Sequence, residues 1–395
     1  MKYIEVNPRT YDSYMPTYVK TNTDAVECTN VYTQSRSSVT EALDSIDKLK
    51  PIKWRNVSSA FPTSPWFDVE CIAEYGSGSS RVSVAVGRPK VVNGVVGCSI
   101  LYRVGSGNWR KATTASGTGT SNFAFCSVAC NDAGLWVAGG EDDSIVAYSN
   151  DGASWTVVDY GGSDSFRYTN VATDGTDFII APGEMLTAEQ EAEGQEWYGA
   201  CDRVFKSSNG STWTKVDLPG TEYIGTIHYA NNKYIIANTW SDTWFESADG
   251  NTWTSISGLP YKDWHSLAYA NGVWTGVAYD DWSKECAIFS TDNGETWQLA
   301  EMPSTGYWNS VATNGAIFLA VKSLENWAYT STAAVSCDGE HWIQIHLNRL
   351  GNWKSVCYHD NRWIIAKGDS SMFNLAALYD VQCKNDFVSS FIYGQ

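Results

Sequence analysis

Four stretches of this 395-residue sequence set an indole beside carboxylates or amides. They are the acidic segment 183–199 with Trp197; 238–244 with Trp240, Asp242 and Trp244; 279–285 with Asp281 and Trp282; and 322–328 with Asn326 and Trp327. An indole offers a flat apolar face to the C–H side of a sugar ring, and a carboxylate or amide bonds hydroxyls. The combination is that of a polar ligand site, with a glycan as the leading class and a protein surface as the second. The competing use of the same residues is to pack loop against loop.

Covalent and metal chemistry find less support. No G-x-S-x-G elbow, phosphate loop, HExxH helix or calcium loop occurs in the sequence. His228, His265, His341, His346 and His359 include no pair at metal spacing, and the ten cysteines include no CxxC. The reading therefore expects no metal, no cofactor and no enzyme. Glycoside hydrolysis stays as an alternative, because its two carboxylates are recognised by their separation in space. A formal charge of −17, without a basic cluster, argues against nucleic acid. No apolar run approaches membrane-span length, and MKYIEVNPRTYDSY opens without a signal-like stretch, so neither membrane insertion nor leader-directed export is expected. The cysteines, spread over the whole length, read as free thiols of a reducing compartment.

The elements that must hold the four segments come from a repeat. A turn of the form Ser-x-(Asp/Asn)-Gly followed by Trp recurs at Asp151 and Trp155, Asn209 and Trp213, Asp249 and Trp253, Asp292 and Trp297, and Asp338 and Trp342, with a weaker copy ending at Trp109. The mean spacing of the five Trp turns, about 47 residues, matches the roughly 40–50 residues of a four-stranded propeller blade. Ahead of each turn stands a hairpin phrase such as SVACNDAGLWVAGG or SLAYANGVWTGVAY, with a degenerate first copy at 71–87. Its β-branched and aromatic flanks and its Asn-Gly or Asp-Gly pairs predict two strands joined by a two-residue turn. Seven hairpin phrases meet only six downstream Trp strands. Residues 52–57, IKWRNV, have the Trp-strand pattern, so they are expected to close the last blade of a seven-bladed ring; a fourth strand supplied by the C-terminal tail is the alternative. Closure would remove two free sheet edges.

The segment Ser290-Thr291-Asp292-Asn293-Gly294-Glu295-Thr296-Trp297 resembles a full Asp-box, the S-x-D-x-G-x-T-W turn of sialidase-like β-propellers. The resemblance implies an all-β propeller in which the box is a structural turn between the third and fourth strands, its Asp accepting backbone hydrogen bonds and its Trp wedged between blades. The F/Y-R-I-P phrase of a sialidase is absent from the sequence; Gly87-Arg88-Pro89 is the nearest approach. On this topology the loops after second strands and those entering first strands share one face. The four Trp segments would lie there, opposite the boxes.

Residues 1–36, with Pro8 and Pro16 and no sustained period, read as an extended arm that needs a surface to lie on. Residues 37–50 read as a short amphipathic helix, with Ser38 and Glu41 as a capping pair and Val39, Ala42, Ile46 and Leu49 at a/d spacing; Pro51 stops it. The helix packs on the propeller or forms a short trimeric or dimeric stem. An arm, a brief helix and a propeller over 51–395 resemble the layout of bacteriophage tail fibres, tailspikes and head fibres. That resemblance implies a virion protein whose residues 1–50 dock on other virion proteins and whose propeller meets the host surface. A decoration subunit without a ligand is the third reading.

Overall fold

The computed structural model describes residues 53–56, 67–89, 91–92, 95–96, 98–115, 123–142, 144–325, 328–368 and 377–382. The expected arm (1–36) and the expected helix (37–50), with Asn326 and Trp327, lie outside the described residues. By its internal contacts the chain divides into residues 54–380 and a second unit of 1–53 with 381–395, of which only Lys53, Val381 and Gln382 are described.

Among the described residues of 54–380 the regular elements are strands, apart from one 3-10 turn and the short helix Ala188–Ala192. The hairpin phrase and Trp turn fold together as one four-stranded antiparallel sheet, shown most simply by Asn170–Thr173, Phe178–Ala181, Cys201–Ser207 and Thr214–Glu222, paired in that order. The same pattern joins Phe67–Tyr75, Val82–Pro89, Ile100–Val104 and Arg110–Lys111. It recurs in Phe125–Cys130, Trp136–Gly140, Ile145–Ser149 and Ser154–Asp159, where Thr113–Ala115 adds a parallel edge. Two strands are unusually long because each serves two sheets. Thr254–Ala270 ends the sheet of Ile224–Ala230, Lys233–Asn238 and Ser241–Ser247, then begins the sheet of Val273–Asp280, Ala287–Ser290 and Gln298–Ala300. Ile343–His359 likewise ends the sheet of Gly306–Thr313, Phe318–Lys322 and Ala328–Ser336, then pairs with Arg362–Gly368. Beyond Arg362–Gly368 the strand order continues to Ala377–Gln382 and Lys53–Asn56.

The expected two-residue hairpin turns are present in only some repeats. Asn231-Asn232, Asn271-Gly272 and Asp360-Asn361 have both residues at positive φ, which Asn, Asp and Gly tolerate. At Asn131, Asp174 and Asn314 the chain instead makes a longer turn around the side chain: Asp174 Oδ1 accepts from the backbones of Thr176 and Asp177 at 2.8 and 2.7 Å, and Asn314 Oδ1 from Ala316 and Ile317 at 3.0 and 2.8 Å. An Asx side chain that bonds the backbone two residues on supplies the reversal itself.

A feature with no signature in the phrase is a β-bulge one residue before it. Glu70, Gly225, His265, Asn309 and Lys354 are each an extra residue in a first strand, unmatched on the second. A bulge sharpens strand twist. It also turns the extra residue toward the next sheet: Asn309 Nδ2 donates to Trp353 O at 3.1 Å, and a Cβ on Gly225 would lie 2.1 Å from Trp264 O. The serine that follows adds a second link. Ser266 Oγ accepts from Val311 N at 3.1 Å and Ser310 Oγ from Val356 N at 3.2 Å.

The Trp turns stack the sheets in sequence order. Ser149 Oγ accepts from Gly152 N at 2.9 Å, Asp151 Oδ1 accepts from Ala153 and Ser154 at 2.8 and 2.7 Å, and Trp155 Nε1 donates to Gly152 O at 2.9 Å. Asn209, Asp249, Asp292 and Asp338 hold their turns by equivalent bonds. The glycine of each turn presses on the preceding sheet: Gly152 on Val82 and Val84, Gly210 on Val137, Gly250 on Ile179, Gly294 on Ile235 and Gly339 on Val273. Last meets first in one apolar core, with Ile364 and Ala366 packed among Val69, Ile72, Ala85, Leu101 and Trp109.

Candidate functional site

In each four-stranded sheet that carries a Trp turn, the turn between strands one and two and the Trp turn between strands three and four lie at one end. The loops between strands two and three, and the passage into the next sheet, lie at the other. Ser165–Arg167, from a passage, pairs antiparallel with Glu184–Leu186, from the loop after a second strand, so the two kinds of segment meet physically.

Among the described residues, the exposed large apolar side chains are Val104, Tyr168, Trp197, Tyr223, Trp240, Tyr261, Trp282 and Leu350. All but Val104 belong to that second end. Burying such rings normally favours folding, and a patch left exposed on one face marks an interaction surface.

Trp282 is 94% exposed and Trp197 81%. Trp197 belongs to an insertion in which Thr187 and Gln190 form a capping box on the short helix Ala188–Ala192. Asp164 anchors this insertion: its Oδ1 accepts from Ala188 N at 3.1 Å and its Oδ2 pairs with Arg203 at 2.8 Å. Beside it, the Arg167 guanidinium lies 3.9 Å from the ring centroid of Tyr198. Trp240 is 49% exposed at φ 53°, with its ring 5.9 Å from that of Tyr261, itself 65% exposed.

Trp244 departs from the sequence expectation. It is 0% exposed and packs edge-on between Trp264, 5.6 Å away, and Trp297, 5.0 Å away. Trp244 and Phe245 point to opposite faces of Ser241–Ser247 and both are 0% exposed, because the sheet is covered on both sides, so no face of the indole is free for a ligand. Asp242, two residues earlier, is exposed, and its Oδ1 accepts from the Thr243 hydroxyl at 3.2 Å. Asp281 accepts from the Tyr279 hydroxyl at 2.6 Å, and Tyr279 stacks on Tyr307 at 3.7 Å and 12°. The bond to Asp281, with a second to Tyr307, pushes the Tyr279 phenol well above its usual pKa.

Two exposed segments are tied together beneath these rings. Trp240 N donates to Lys262 O at 2.9 Å, and Lys262 Nζ donates to Asp280 Oδ2 at 2.7 Å. Asp280 Oδ1 accepts from Trp282 N at 2.8 Å and Ser283 N at 3.0 Å. Burial works against the Asp280 charge, but Lys262 and the two backbone donors outweigh it and hold the carboxyl below its usual range. The Trp240 and Trp282 backbones, from neighbouring sheets, are thus joined through one braced ion pair.

Sequence reading missed Tyr168, Tyr223 and Tyr261. They lie in the passages between repeats, and the signal that could have found them is an aromatic recurring shortly before the hairpin phrase. The box residues Trp155, Trp253 and Trp342 are buried and Trp213 and Trp297 partly so, all at the opposite end. There, a polar depression of about 460 Å³ is lined by Asp177, Lys206, Ser207, Asn209, Thr212 and Asn251. Lys206 is already engaged with Asp177 at 3.1 Å and Asp249 O at 2.8 Å. The described residues hold no group of three or more His, Cys, Asp or Glu arranged for a metal ion.

No family model matches the sequence, and no curated protein does. Solved structures do. YCF48 bound to D1 peptide superposes with a TM-score of 0.57 at 14% identity, over 85% of this chain and 97% of that one. A virginiamycin B lyase from Staphylococcus aureus gives 0.60 at 8% identity, over 84% and 99%. The WD40 propeller domain of Doa1 gives 0.53 at 13%, over 81% and 95%. Identities this low speak to architecture alone, and these proteins differ in what they do. With the stacked antiparallel sheets, they show that this chain is a β-propeller.

Proposed function

We propose that this protein is a virion fibre adhesin: residues 1–50 dock on the particle and the propeller binds a host-surface glycan. The observation that carries the reading is the gathering of Tyr168, Trp197, Tyr223, Trp240, Tyr261 and Trp282 on one end of the sheets, opposite the turns that hold the scaffold. Aromatic platforms interleaved with Asp242 and Asp281 suit a ligand that is apolar on its ring faces and polar at its rim. The propeller we infer has seven blades, the last completed by Lys53–Asn56. In its support, the strand order runs through Arg362–Gly368 and Ala377–Gln382 to Lys53–Asn56, and the core of the last sheet is shared with the first.

The test is a glycan array with the purified full-length chain, run beside a reducing-end release assay. Binding without release supports an adhesin. Release identifies a hydrolase on the same scaffold. Neither outcome, together with normal incorporation into particles, identifies a decoration subunit. A chain lacking residues 1–50 that folds but no longer incorporates supports the assigned docking role, and normal incorporation of that chain removes it.

A further inference from the structure

We propose that the surface framed by Trp240, Tyr261 and Trp282 is a single subsite spanning two neighbouring sheets, and that its ligand is a neutral pyranose. This rests on the glycan-binding reading above and specifies its chemistry.

Continuity is the first argument. The two loops are one braced unit, since the chain of bonds from Trp240 N through Lys262 and Asp280 to Trp282 N links both tryptophan backbones through a neutralised pair. The Lys262 side chain is 12% exposed and that of Asp280 20%, so the pair is largely shielded and offers a ligand less surface than the exposed rings. Trp282 stands free of neighbouring side chains at 94% exposure. That makes it an open platform for a flat ring face, whereas an aromatic cage for an ammonium ion would need walls closing around the cation.

Charge is the second argument. Lys262 is consumed by Asp280. In the segments 239–244, 261–264 and 279–286 the remaining charged residues are Asp242, Asp263, Asp281 and Glu285 against Lys284 alone. A sialylated, uronate or phosphorylated sugar would bring its anion to a surface that is already negative, and mutual repulsion opposes it. The hydroxyls of a neutral sugar are donors, and Asp242 and Asp281 present acceptor oxygens to them.

The experiment presents the full-length protein and its Trp240→Ala and Trp282→Ala variants with neutral hexose and N-acetylhexosamine oligosaccharides, with matched sialylated, uronate and phosphorylated glycans, and with a trimethyl-lysine peptide. Both rings are exposed, so unchanged melting temperatures verify that the variants are folded. Expected are binding of a neutral glycan, at least about a tenfold loss in each variant, and less than about a twofold change between low and high salt, since no charge is recognised. Preference for an anionic glycan or for the peptide overturns the neutral-sugar assignment. Neutral-glycan binding that survives both substitutions overturns the location while leaving the adhesin reading intact. Binding to no glycan overturns the subsite and the adhesin reading together.

Discussion

Glu74 and Arg362 lie 288 positions apart in the chain and meet as a buried ion pair where the first and last repeats pack. The Glu74 oxygen that receives Arg362 also lies 3.5 Å from Arg81 Nε and 3.6 Å from Arg103 Nη2, and accepts from the Ser83 hydroxyl. Arg81 reaches onward to Asp360 at 2.5 Å, and Lys354 pairs with Glu70 at 3.2 Å across the same junction. Apolar packing alone is non-directional. A buried carboxylate with defined partners sets which sheet closes against the first, and in which register.

Removing Glu74 would leave arginines buried beside an uncompensated site. Glu74→Ala and Arg362→Ala are each expected to cost about 3–5 kcal/mol, read from urea unfolding. Because they act on one network, the double variant should cost less than the sum by about 1–3 kcal/mol. Additive losses would show that the two residues do not work together.

Two glycines at positive φ separate the backbone effect from the packing effect. Gly258 has φ 83° with open space where a methyl group would stand, whereas Gly210, in a Trp turn, has φ 70° and its Cβ would meet Tyr148 Cβ at 2.8 Å. Gly258→Ala should therefore cost only the left-handed penalty of about 1–2 kcal/mol. Gly210→Ala should add about 1–3 kcal/mol for overpacking between sheets. Equal costs in denaturant titrations would mean that the turn does not bear on its neighbour.

Trp244 lies in a strand and Trp282 in a loop of the neighbouring sheet, and the two face opposite environments. Trp244→Ala is expected to lower stability by about 3–5 kcal/mol through the cavity it leaves. Trp282→Ala should stay within about 0.5 kcal/mol of the parent. A matched pair of thermal melts checks both.

Acid should weaken the fold in two windows. Burial lowers the His228 imidazole to about 4 from its ordinary 6.5, beside the edge of Trp274, so the unfolded chain takes up this proton first and stability falls as pH drops from about 6.5 to 4. Asp292 is held at about 2 by the hydroxyl and backbone of Thr296, against an ordinary 3.8. Its contribution is complete above about pH 4 and is lost as pH falls toward 2. Melting temperature against pH should flatten in the upper window for His228→Gln and in the lower for Asp292→Asn. An unchanged profile in either variant removes that assignment.

Much of this architecture is local chemistry, and so is legible along the chain. A Ser, an Asx, a Gly and a Trp within one turn satisfy each other's hydrogen bonds whatever surrounds them, and alternation beside an Asn-Gly pair marks a hairpin by itself. These features located the hairpins and the Trp turns, and with them the order of strands in the described four-stranded sheets. They could not show that Trp244 is buried, because its face is covered only when Trp264 and Trp297 pack against it. Nor could they show the bulges at Gly225 and Asn309, which face Trp264 O and Trp353 O of the next sheet. Tyr261 joins Trp240, and Glu74 finds Arg362, only when separate repeats are stacked; burial and ion pairing between residues this distant are properties of the packed sheets, and tertiary structure alone decides them.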